Sequence, residues 1–149
     1  MKHLSKKAQI SVEYLFIIGL SLAIIIPGSM LFFNYTNESN EKLVSSQINS
    51  IGKNVVNSAG EVYTLGKGSF ITLDMNLPES VVNIYTIGDY ELVIEYRTGN
   101  GVTEAVFFSD VKIYGAYDGE VSGDFHTGFM PLKIESMGGN VTIIERVEE

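Results

Sequence analysis

The stretch KKAQISVEYLFIIGLSLAIIIPGSMLFFNYTN, residues 6–37, decides the fold of this chain. No charged side chain occurs from Tyr14 to Asn37, a run of 24 residues. At a rise of about 1.5 Å per residue, a helix of that length covers roughly 36 Å, which is enough to cross the core of a bilayer. A single carboxylate, Glu13, stands at the front edge of the run. The sequence therefore predicts a membrane-spanning helix close to the amino end.

A basic leader precedes this helix. Three lysines stand before Ala8. A secretory signal has its small-residue cleavage site after a short apolar core, whereas here the small residue comes before a longer core. Cleavage at this place would leave the helix on the mature protein. Because positive charge stays on the cytoplasmic side, we expect the chain after residue ~38 to lie outside.

Composition narrows the possible partners. The formal net charge is −8, and removal of the first eight residues with their three lysines lowers it to −11. An acidic chain of this kind has no basic patch to displace the counterions of phosphate, so we expect no binding to nucleic acid. The chain contains no cysteine, which excludes a disulfide framework and thiol chemistry.

The helix is predicted to bend and then to continue beyond the membrane. Pro27 removes one backbone donor and clashes with the preceding turn, so a kink is expected there. Further along, apolar residues follow one helical stripe. They are Val44, Ile48, Ile51 and Val55. This pattern predicts helix to about Ala59, with Gly60 as its cap.

From residue 62 onward, the apolar period changes to two, which is typical of strands. The predicted strands are 70–73, 92–96, 102–108, 111–114, 131–135 and 141–144. Gly99-Asn100-Gly101 predicts a hairpin turn, and 138–140 a second tight turn. The Gly- and Asp-rich segment 115–128 is predicted to be a long loop. The fold class is therefore α+β, with an antiparallel sheet or sandwich covering the helical stripe.

The junction between leader and helix resembles a known family. Lys6-Lys7-Ala8, followed by Gln9-x-Ser11-x-Glu13 and the apolar run, is similar to the class III signal peptide of archaeal type IV pilins. The resemblance covers about 30 of the 149 residues and does not extend into the β region. It implies three parts: a cleaved leader at 1–8, a membrane and filament-core helix with its amphipathic continuation at 9–60, and an extracellular β domain at 61–149.

The resemblance also implies a function. A prepilin peptidase would recognise Lys6, Lys7, Ala8 and Gln9 and cut between Ala8 and Gln9. The mature chain would leave the cytoplasmic membrane and polymerise with other pilin subunits into a surface filament. The alternative is a monomeric, membrane-anchored surface protein whose β domain binds a ligand or another surface.

Glu13 would then be the fifth residue of the processed chain. In pilins, such a carboxylate pairs with the amino terminus of a neighbouring subunit and sets the register of assembly, because an unpaired charge inside an apolar bundle is costly. The alternative is a carboxylate favoured by the helix dipole at the lipid interface. Ser11 accompanies it, as a residue that caps or back-bonds the helix.

Three sequons follow the predicted membrane span. They begin at Asn34, Asn37 and Asn140. Asn140 is the best candidate for glycosylation because it follows two glycines in a predicted turn, while the other two stand where the helix leaves the membrane.

Nothing in the sequence predicts an enzyme, a cofactor or a metal site. Asp118, Glu120, Asp124 and His126 gather in the predicted loop and are oxygen-rich enough for Ca²⁺. Their spacing fits no EF-hand, so a solvated acidic loop is the preferred interpretation. The chain has no Ser-His-Asp set, phosphate-binding loop or zinc-protease motif.

Overall fold

The computed structural model describes residues 2–146, with side chains from residue 11 onward. One helix precedes seven strands. They are α1 (Lys2–Leu65), β1 (Phe70–Leu77), β2 (Val81–Ile87), β3 (Glu91–Thr98), β4 (Gly101–Phe108), β5 (Ile113–Gly115), β6 (Gly128–Ser136) and β7 (Val141–Glu145). The chain divides into two compact units, Met1–Asn40 and Glu41–Glu149. The predicted α+β layout is confirmed.

In the first unit, α1 carries the uncharged run. The helix continues through Pro27 without a break in secondary structure. Whether its axis bends there stays a prediction.

The second unit contains the rest of α1, which ends later than predicted. The expected end at Ala59 with Gly60 as cap is wrong, because the helix runs on to Leu65. Both Ala59 and Val62 are completely buried, and their packing outweighs the cost of about 1 kcal/mol for a glycine inside a helix. Gly66 ends the helix instead, with φ at +96° and its N–H donated to the carbonyl of Tyr63.

Two sheets make up the β region. The first has the strand order β1-β6-β7-β5, and the second has the order β2-β3-β4. All pairs are antiparallel except β5 with β7, which are parallel. The prediction of a purely antiparallel sheet is therefore wrong at this edge. The connection 116–127 is long enough to carry the chain past β7, and β6 then pairs on the far side of β7.

The hairpin and turn predictions are confirmed. Gly99 and Asn100 form a two-residue loop between β3 and β4, closed by the pair Thr98 and Gly101. Residues 137–140 connect β6 to β7. Strand β2 was missed, because a bulge between Val81 and Asn83 interrupts the two-residue period on which the prediction depends.

The core of the second unit lies between the helical stripe and the sheets. Ile48 and Val55 are buried, as predicted, while Val44 and Ile51 are partly buried against the same cluster. The inner sides of the strands complete this core with aliphatic side chains. The largest include Ile84, Leu92, Ile94, Leu132, Ile134 and Ile143.

Two helical glycines of α1 should respond in opposite ways to alanine. A Cβ on Gly52 would lie 2.2 Å from the ring of Phe107, whereas a Cβ on Gly60 would meet nothing within 4 Å. We expect Gly52→Ala to destabilise the unit by about 1–3 kcal/mol through overpacking. Gly60→Ala should stabilise it by up to ~1 kcal/mol through helix propensity. Chemical denaturation of a fragment beginning at residue 41 measures both, and changes of equal sign would contradict the packing of Phe107 on α1.

Candidate functional site

The most unusual surface of the first unit is the apolar helix itself. From residue 12 to residue 35, its large apolar side chains are exposed, and Phe16 and Tyr35 reach 72% and 73%. An 18-residue window of α1 is long and apolar enough to cross a membrane, and none of it is buried. Soluble monomers rarely expose a continuous apolar surface of this size. This surface therefore needs lipid or other protein around it.

The serine and threonine hydroxyl groups along this part of the helix are satisfied within it. Ser21, Ser29 and Thr36 each donate to the carbonyl four residues earlier, at 2.8–2.9 Å. Such bonds hide polar groups that would be costly in hydrocarbon. The middle of the segment can therefore lie in an apolar environment without unsatisfied serine or threonine hydroxyls.

Tyrosines mark both ends of the uncharged run. Tyr14 and Tyr35 are 21 positions apart, which in a helix corresponds to roughly 32 Å. This distance matches the hydrocarbon core of a bilayer, and tyrosine is enriched at both of its interfaces. The spacing agrees with a helix that spans a membrane.

Glu13 lies at the front end of this surface. Together with Val12, Phe16 and Ile17, it lines a shallow, largely apolar recess on one side of α1. Among the residues whose side chains are described, Glu13 has no hydrogen bond or ion pair. A carboxylate with apolar neighbours and no partner among the described side chains needs a partner elsewhere when water is removed. Ser11, two residues earlier, is also exposed.

The predicted processing residues lie just before this point. The backbone of α1 includes Lys6, Lys7, Ala8 and Gln9, but their side chains lie outside the described part. Recognition of these residues stays a prediction.

The three sequons have different surroundings. Asn34 and Asn37 are exposed on α1, whereas Asn140 is half-buried in the β6–β7 turn, and its carbonyl accepts the N–H of Met137. Attachment of a glycan at any of them stays a prediction.

Glu120 and His126, two of the possible Ca²⁺ ligands in the connection 116–127, contact different partners. Glu120 accepts a hydrogen bond from the side chain of Asn83 at 3.0 Å, and His126 lies 2.8 Å from Glu145 of β7. Within the described residues, no three histidine or carboxylate side chains converge on one point that could hold a metal ion.

Glu145 holds the end of this connection in place. Its side chain is only 9% exposed, and its two oxygens bond to His126 Nε2 and to the hydroxyl of Ser122. The backbone N–H of Glu145 also donates to the carbonyl of Val121. We call Ser122, His126 and Glu145 the carboxylate clamp. The sequence suggested His126 only as a metal ligand and did not indicate these contacts, because Glu145 lies 19 residues from His126 and 23 residues from Ser122 along the chain.

The carboxylate clamp should make stability depend on pH. The carbonyl of Thr127 and the carboxylate of Glu145 both favour the charged imidazole, and they raise the pKa of His126 above 6.5. A pKa that is raised in the folded state adds stability that is complete below the pKa of the unfolded state. This stability is lost as the pH rises through the pKa of the folded state. We expect His126→Gln to lower the melting temperature of the fragment from residue 41 at pH 5.5 and to have less effect at pH 8.5. A constant difference between the two proteins across this range would contradict the clamp.

Comparison with protein-family models, with curated proteins and with solved structures gave no significant match.

Proposed function

We propose that this chain is the subunit of an archaeal surface filament of the type IV pilus kind, as a major or a minor pilin. One observation carries the proposal: the basic leader and the Gln9-x-Ser11-x-Glu13 motif come directly before an apolar stretch of helix whose large side chains are exposed from residue 12 to residue 35. A signal sequence that is cut behind its apolar segment would not need this order. A helix that is first held in lipid and then packed against copies of itself needs this order, because the apolar segment must stay on the chain after the cut.

The proposed sequence of events follows from the charges. The lysines hold the leader at the cytoplasmic face while the helix spans the membrane. Cleavage between Ala8 and Gln9 removes three positive charges and creates a new amino terminus four residues before Glu13. The helix then leaves lipid for a bundle of identical helices, which offers an equally apolar environment.

Glu13 would determine the register in which each subunit joins the bundle. Its carboxylate would pair with the amino terminus of a neighbouring subunit inside the bundle. A subunit placed out of register would leave both charges unpaired, at a cost of several kcal/mol. The same pair neutralises the charge that cleavage exposes, so processing and assembly become coupled.

A second candidate function is a monomeric, anchored surface protein with a binding site in its β domain. It is favoured by an open cleft beside the carboxylate clamp, lined by Tyr117, Gly123, Asp124, His126 and Glu145. Aromatic and polar side chains together are typical of ligand sites. The two functions differ in the fate of the leader and in the state of assembly.

The test is the amino terminus of the protein isolated from the cell surface. We expect mass spectrometry to find a chain that begins at Gln9 and electron microscopy to find filaments that contain it. Ala8→Leu serves as a control, since a bulky residue at the cut should keep the leader attached and prevent filaments. An intact Met1 or Lys2 on surface-exposed protein would overturn the proposal in favour of an anchor.

A further inference from the structure

Two long strands lie at open sheet edges in the second unit. Strand β1 ends the sheet β1-β6-β7-β5, and strand β4 ends the sheet β2-β3-β4. Within residues 2–146, β1 has backbone hydrogen bonds only toward β6, and the segment 102–108 of β4 has them only toward β3. Each strand is eight residues long and presents a row of unpaired N–H and C=O groups on its outer side.

The other two sheet edges are closed or short. The outer edge of β2 is covered by the connection 116–127, because Thr86 donates its N–H to Gly119 at 2.7 Å and Val121 donates to Ile84. Strand β5 is only three residues long. The fold therefore protects two of its four edges and leaves β1 and β4 open.

Strand β4 lacks the usual devices that prevent pairing at an edge. Natural edges carry lysine, proline, a bulge or a charge that blocks the approach of another strand. From Val102 to Phe108 there is no lysine or proline, and the register with β3 is unbroken. The single charge, Glu104, accepts a hydrogen bond from the hydroxyl of Tyr85, two strands away, at 3.3 Å. The carboxylate is thus drawn across the face of the sheet rather than over its edge.

One side of β4 is also exposed and largely apolar. Val102, Val106 and Phe108 lie on this side, with Glu104 between the two valines, and are 56%, 42% and 71% exposed. Another strand beside β4 would cover part of this apolar surface while it satisfies the free backbone groups. Main-chain hydrogen bonds would supply the affinity, and the alternating side chains would determine which strand can pack beside β4.

We infer that the open edge of β4 pairs with the open edge of β1 in a second copy of this chain. The inference rests on the proposed filament, which requires a contact that does not close on itself. Pairing of β4 with β4 would be symmetric and would stop at two copies, whereas pairing of β4 with β1 uses two different surfaces and continues without limit. The equal length of the two strands suits this pairing, since each spans roughly 26 Å.

Charge restricts the register of the pair. A fully aligned antiparallel pairing would place Asp74 of β1 directly opposite Glu104 of β4, and like charges in that position are destabilising. The pairing is therefore offset along the strands or parallel. Either arrangement keeps the two carboxylates apart.

Cysteine cross-linking tests the inference, because the natural chain contains no cysteine. Thr72 and Glu104 lie near the middle of β1 and β4, and both side chains are exposed. In intact membranes and filaments, a short bismaleimide should link the double variant Thr72→Cys/Glu104→Cys into a ladder of oligomers. Each single variant should remain monomeric. Dimers of the single Glu104→Cys protein would show symmetric pairing and overturn the inference, as would the absence of a ladder.

A charge placed at the edge gives the matched control. In the double-cysteine protein, Val106→Lys should abolish the ladder because lysine protects an edge. Ile87→Lys should preserve the ladder, since Ile87 is similarly exposed, at 48%, but lies on β2, whose edge is already covered. Circular dichroism checks that both proteins remain folded. A ladder that survives Val106→Lys would count against edge pairing.

Failure of this inference is distinguishable from failure of the proposed function. Filaments of chains that begin at Gln9, without a ladder, would leave the filament in place and refute the edge contact. A ladder in membranes that contain no filaments would support edge pairing between anchored copies and refute the filament. Slower exchange of the β1 and β4 amide protons in the assembled protein gives a second measurement that needs no substitution.

Discussion

Ile48→Asp is expected to unfold the second unit, or to destabilise it by about 4 kcal/mol or more. Ile48 is 1% exposed and packs in the core cluster with Val55 and Ala59 of the same helical stripe. Aspartate at this position would bury a carboxylate that has no partner, which belongs to the most damaging class of substitutions. Since a small domain is stable by only about 5–15 kcal/mol, this change removes much of its stability.

The control for Ile48→Asp is Ser50→Asp, two residues further along α1. Ser50 is exposed, so its variant introduces the same carboxylate into water. We expect its free energy of unfolding to change by less than ~0.5 kcal/mol. Urea denaturation of the fragment beginning at residue 41 compares the two variants. Equal midpoints for Ile48→Asp and the unchanged fragment would mean that the helical stripe does not belong to the core.

Glu13→Val is expected to abolish filaments while the leader is still removed. In the proposed bundle, every subunit would then contain an unpaired amino terminus in an apolar core, and this cost is repeated at each added subunit. Glu13→Gln should act in the same direction, because an amide does not neutralise the amine. Membrane insertion and cleavage should persist, since both occur in a single chain in lipid.

A residue that merely favours the helix dipole would contribute only about 0.3–1 kcal/mol, and its loss should be tolerated. Glu61→Gln provides the control, because Glu61 is an exposed carboxylate of α1 outside the apolar run. Electron microscopy of cells, together with a blot for processed protein in the membrane, separates the alternatives. Normal filaments of the Glu13→Val protein would refute the role in register and favour a plain anchor.

The local features of this chain were predictable from sequence because they depend on short-range chemistry. The absence of charge over 24 largely apolar residues makes this helix able to span a membrane, whatever the rest of the chain does. The hairpin at Gly99 and Asn100 depends on the conformations that these residues allow, and the buried stripe around Ile48 depends on helical periodicity. The resemblance of the leader to class III signal peptides also comes from sequence alone, and the proposed function begins with it.

Tertiary structure decided the features that depend on distant residues. The helix passes Gly60 because Ala59 and Val62 find a core to fill, and propensity contains no information about that core. Alternation along a strand is the same in either direction, so the parallel pairing of β5 with β7 could not be predicted from it. The carboxylate clamp joins residues 19 and 23 positions apart, and only folding brings them together. Periodicity and turn chemistry are local properties, whereas helix length, strand direction and side-chain partners follow from what the rest of the chain places beside them.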